Sequence, residues 1–93
     1  MSKFQPKRKV TFKLNGTWWR ILLGRELGKN YGVCYHEKHT IEIDRDQSDK
    51  EELDTILHEA LHGLFPNVRE FYIHRSGYEL RKLLWKLGYR KVK

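Results

Sequence analysis

Residues 48–66 read SDKEELDTILHEALHGLFP and hold a helix complete with its start and stop signals. Ser48 and Glu51 have capping-box spacing, the hydroxyl accepting from a first-turn N–H while the carboxylate reaches back to the cap backbone. Leu53, Ile56, Leu57, Ala60, Leu61 and Leu64 then recur at helical intervals and predict one apolar face, which ends at Gly63-Leu64-Phe65-Pro66. Within this helix, His58 and His62 lie one turn apart, within about 40° of each other, and well off the apolar face. Two imidazoles so placed can converge on one ion, with Glu59 projecting beside them. Zinc held by neutral imidazoles keeps a position for water and lowers its pKa toward about 7, and Glu59 can take the proton released. The HExxH spacing therefore points to a zinc-dependent metallopeptidase with one zinc ion per chain and Glu59 as general base.

Upstream, VTFKLNGTWWRILL (residues 10–23) predicts a hairpin, because Asn15-Gly16 supplies the positive φ angles of a type I′ turn. That turn sets Leu14 opposite Thr17, Phe12 opposite Trp19 and Val10 opposite Ile21, making one side of the ribbon apolar. Trp18 falls on the other side, where it either packs under a later helix or joins an exposed surface. After GRELGKNYG, a second pair, YGVCYH and TIEID, alternates around Glu37-Lys38-His39, giving four antiparallel strands. His36 and His39 flank that turn and read as surface histidines. Cys34, the single cysteine, excludes an intrachain disulfide and thiolate-rich metal sites, and its place in a strand reads as a buried thiol.

Downstream, a second helix is predicted from near Asn67, with an apolar stripe on Tyr72, Ile73, Ser76, Leu80, Leu83, Leu84 and Leu87. A zinc site on His58 and His62 needs a third ligand. Glu70 is the first choice and His74 the fallback, since both lie off the stripe and four residues apart. A competing role for Glu70 is to complete a capping box with Asn67. Asp44, Asp46 and Glu79 are weaker candidates.

The 93 residues suffice for one domain, 1–93, with residues 1–8 as a flexible basic tail. No stretch approaches the roughly 20 apolar residues of a membrane span, and no apolar segment follows the basic start, so a soluble cytoplasmic protein with no membrane partner is expected. The net charge of +7 is uneven. Seven bases precede the first acid at Glu26, residues 26–68 carry ten acids against four bases, and from Arg69 onward eight bases face two acids. An anionic partner would touch the ends and not the middle.

With YGVCYHEKHTIEID, EELDTILHEALHGLFP and the Glu70-to-Ile73 stretch on the page, residues 31–88 resemble the small HExxH metallopeptidase-like proteins of phages and prophages, relatives of the minigluzincin, ImmA/IrrE and SprT-like groups. The resemblance implies a zincin-like α+β fold: a four-stranded, mostly antiparallel sheet packed on two helices, with the metal site between them. It implies a glutamate from the second helix as zinc ligand, which supports Glu70, and a host-cytoplasmic location for a phage-encoded chain. It also implies an edge strand that aligns an extended peptide, here Thr40, Ile41, Glu42 and Ile43. This chain has a single glutamate, followed by Phe71, where the family pattern is more acidic, so His74 stays open as ligand.

The expected partner is a protein or peptide substrate. Two alternatives are a zinc-binding relative without catalysis and a basic nucleic-acid-binding module. The second would use the aromatic and basic row Arg75, Tyr78, Arg81, Lys82 and Trp85, with stacking and phosphate contacts to a single strand. Against it, the aromatics can pack beneath the hairpin while the bases stay solvated.

Overall fold

The structure, a computed structural model, describes residues 7–92. Four strands, β1 (Arg8–Leu14), β2 (Thr17–Arg25), β3 (Gly32–Tyr35) and β4 (Thr40–Asp44), precede two helices, α1 (Asp49–Leu64) and α2 (Glu70–Lys86). The α+β class and the number of elements agree with the sequence reading. Most of the tail expected at residues 1–8 lies outside the described residues, but its last residue, Arg8, opens β1.

The first hairpin forms in the register its turn dictates. Asn15 and Gly16 take φ values of 55° and 78°, and Leu14 pairs with Thr17, Phe12 with Trp19 and Val10 with Ile21. Trp19, Ile21 and Leu23 are buried with Ile41 and Ile43, and Phe12, Leu14, Cys34 and Ile56 pack against them. Trp18 does not pack under a helix. It is 63% exposed, with the Lys13 ammonium 5.1 Å from its ring.

The sheet is mixed, in the order β1-β2-β4-β3, and β2 pairs with β4 in parallel. This corrects the expectation of four antiparallel strands, although the other two pairings are antiparallel. Residues 26–31 carry the chain past the inner position to the far edge, β3 returns along it, and β4 then inserts between β3 and β2. Buried Asp44 anchors this crossover by accepting from the Leu27 N–H at 2.8 Å and the Asp46 N–H at 3.2 Å. A second correction follows. Thr40, Ile41, Glu42 and Ile43 are not an edge strand, because β2 and β3 pair with β4 on its two sides. Ile41 and Ile43 are completely buried, and β1 and β3 are the edges.

Ser48 and Glu51 form the capping box at the start of α1, with bonds of 2.9 and 3.2 Å. The leucine face of α1 is only half-buried, and its two buried residues are Glu52 and Glu59. The helix is rolled so that Gly63 meets the sheet, where an added Cβ would lie 2.9 Å from Leu14 and 3.1 Å from Trp19. Among the described elements α2 packs on α1 and on no strand, so the layers run sheet, α1, α2. Of the stripe predicted for α2, Ile73 is buried and Leu84 half-buried, whereas Tyr72, Ser76, Leu80, Leu83 and Leu87 are exposed. Phe71 and Tyr78 are exposed too, and do not lie beneath the hairpin. Among the described residues, no helix is long and apolar enough to cross a membrane.

Candidate metal centre

The two imidazoles of the HExxH segment face α2, and a residue of α2 answers them. The Nε2 atoms of His58 and His62 lie 3.2 Å apart. Glu70 sets one oxygen 3.0 Å from His58 and the other 2.7 Å from His62. Glu70 is available for this because Arg69, not Asn67, is the N-cap of α2 and makes no side-chain cap bond. The capping box considered for Asn67 and Glu70 does not form. Gly77 lies at the helix crossing, where an added Cβ would be in ordinary contact with the His58 backbone at 3.4 Å and a larger side chain would press on it.

These distances fit a cation. Donors about 2.0–2.1 Å from one tetrahedral ion lie about 3.3 Å apart, near the spacing seen here. Protons alone satisfy the cluster poorly. With a carboxylate at Glu70, whichever nitrogens carry hydrogen, at least one of the three contacts sets N–H against N–H or lone pair against lone pair. His74 adds a further imidazole, its ring centre 5.9 Å from that of His58. His58, Glu70 and His74 each offer a ligand atom within 4.8 Å of the others, a group that can hold a metal ion. His62, predicted as a ligand, falls outside this group, as do Asp44, Asp46 and Glu79.

Burial lowers the pKa of His58 against the opposing pull of Glu70, with His62 and His74 adding to the lowering. The neutral imidazole that results is the form that ligates metal. Glu59 projects toward the sheet and is 8% exposed. Its pKa is raised, by desolvation first, with Glu70 adding and His62 opposing.

A cleft of about 300 Å³ opens beside the cluster, bounded by Tyr31 and Gly32 ahead of and in β3, by Thr55, His58 and Glu59 of α1, and by His74 of α2. Residues 40–43 of β4 do not line it. Its β3 wall is tied to α1 by Gln47, which donates to the Tyr31 carbonyl at 3.1 Å and accepts from the Thr55 hydroxyl at 2.6 Å. At Gly32 an added Cβ would come within 2.6 Å of Thr55 and 3.1 Å of Glu59. The sequence reading missed Gln47, Thr55 and Gly32, whose roles arise only when distant elements meet. It also missed Gly77, for which a signal existed: an isolated glycine inside a helical pattern commonly marks close packing.

The other nominated residues are dispersed. The Arg81 side chain is 13% exposed and lies 3.9 Å from Asp54, Trp85 is covered by the Arg90 guanidinium, and Arg75 sits over Phe71 and Tyr72. Arg81 and Lys82 both lie near the Tyr78 ring. Cys34 is half-buried, and burial reinforced by Glu59 raises its pKa to about 11, which disfavours a thiolate nucleophile. No protein-family model, curated protein or solved structure matches this chain.

Proposed function

We propose that the chain is a zinc-dependent metallopeptidase. The observation that carries this reading is the convergence of three side chains, with 3.2 Å between the His58 and His62 nitrogens and 3.0 and 2.7 Å from these to the two Glu70 oxygens, beside a buried Glu59 on an open cleft. Two imidazoles and one carboxylate favour zinc among the common divalent ions. In this reading His58, His62 and Glu70 hold the ion, and His74 orients Glu70 or replaces it. Zinc supplies a Lewis acid for the peptide carbonyl and acidifies water at neutral pH. The Glu59 carboxylate takes the proton from that water and returns it to the leaving amine. The wall of α1 and β3 keeps bulk water away from Glu59, and the edge strand β3 offers backbone groups to an extended peptide. The small HExxH proteins that residues 31–88 resemble would use the same parts.

Glu59→Gln tests the reading. It should retain bound zinc while cleavage of an unfolded protein substrate falls by about 10²–10⁴. Unchanged cleavage would refute the general-base role, and zinc binding without cleavage by the wild type would leave a metal-binding protein without catalysis.

A further inference from the structure

The two basic ends of the chain, far apart in sequence, meet at one place on the surface. An apolar pocket of about 250 Å³ lies between the sheet and the helices, walled by Leu23, Leu53, Ile56, Trp85 and Tyr89. Arg8 from the first end and Arg90 and Lys91 from the last line it as well. Arg8 and Leu23 also border a neighbouring groove of about 200 Å³, which adds Lys7, Lys9 and Arg25. Six cationic side chains thus surround the pair of depressions, against Asp49 and Glu52. Glu52 is 5% exposed and accepts from Lys91 at 3.0 Å, which ties the last residues down onto α1. Arg90 is held by its bonds to the Trp85 and Tyr89 carbonyls, with its guanidinium 3.5 Å from the centre of the Trp85 ring. Tyr89 itself is 63% exposed. None of these residues lines the cleft beside His58.

We infer that this surface binds single-stranded nucleic acid, one base entering the apolar pocket against Tyr89 and the Arg90–Trp85 pair while neighbouring phosphates lie along Lys7, Arg8, Lys9 and Arg25. An apolar aromatic pocket continuous with a basic groove matches the alternation of flat base and anionic phosphate. Base entry requires an unstacked base, so a single strand fits and a duplex does not. The site is separate from the metal cluster and does not depend on the peptidase reading. It also differs from the row on α2 considered from sequence, where Arg81 is turned toward Asp54.

The test uses the full chain and a fluorescein-labelled single-stranded DNA 12-mer of mixed sequence, read by anisotropy over a salt series. Arg8→Gln with Lys9→Gln should weaken binding by about tenfold and flatten the dependence of log K on log salt by about 1.4. Lys29→Gln with Lys38→Gln removes the same charge elsewhere and should change affinity less than about twofold. Tyr89→Ala, at an exposed position, should cost about tenfold. Equal losses in both double variants, duplex DNA bound as tightly as the single strand, or displacement of the DNA by an equal concentration of polyglutamate would each overturn the proposal. The last result would assign the surface to acidic peptides.

Discussion

Strand β4 and helix α2 flank α1 from opposite sides, and their packing differs. Ile41 and Ile43 of β4 are fully buried between neighbouring strands and α1. In α2 only Ile73 and Gly77 are buried, and Leu83 and the C-cap Leu87 are 52% and 65% exposed. One side of α1 is therefore held by apolar burial. On the other side the contact with α2 is broad but buries few of its residues, and polar groups share it, with Glu70 close to both histidines and Arg81 3.9 Å from Asp54. An ion shared by α1 and α2 would add a link where few residues of α2 are buried.

The largest effect should come from breaking the packed side. Ile41→Ala leaves a cavity in the core and should lower stability by about 2–5 kcal/mol in urea unfolding, whereas Leu83→Ala should change it by less than about 0.5 kcal/mol. Next comes added metal. Free zinc at about 100 times its Kd should raise stability by about 2.7 kcal/mol. Hydrogen-exchange protection should rise chiefly over residues 70–77, with little change at Ile41–Ile43, and a chelator should reverse it. Gly77→Val would press a side chain against the His58 backbone and should cost about 1–3 kcal/mol, with weaker zinc retention in a chelator competition. The smallest effect concerns Cys34. With its pKa raised to about 11, the thiol stays protonated at pH 8, so iodoacetamide should label the folded chain far more slowly than the urea-unfolded one.

What could be read from sequence follows the same division. Local rules specified the Asn15-Gly16 hairpin, its register, the Ser48–Glu51 cap and the convergence of His58 with His62, because each depends on residues within a few positions. Strand order was not legible. Alternation in TIEID marks a strand but carries no information on its neighbours, and the parallel pairing of β2 with β4 depends on the crossover that Asp44 pins. The roll of α1 was also hidden. Its leucines suggested the sheet-facing side, while the close approach at Gly63 turns Glu52 and Glu59 inward. At the site, spacing nominated Glu70 and His74 alike, and both lie near His58, so the sequence could not separate the two.

Metal content of the purified, untagged chain is the most direct test of the centre. One zinc per chain in the wild type, lost in His58→Ala and in Glu70→Ala but kept in Glu59→Gln, is the expected result. Absence of bound metal after zinc addition, or zinc unaffected by His58→Ala, would contradict a centre built on the HExxH helix and Glu70.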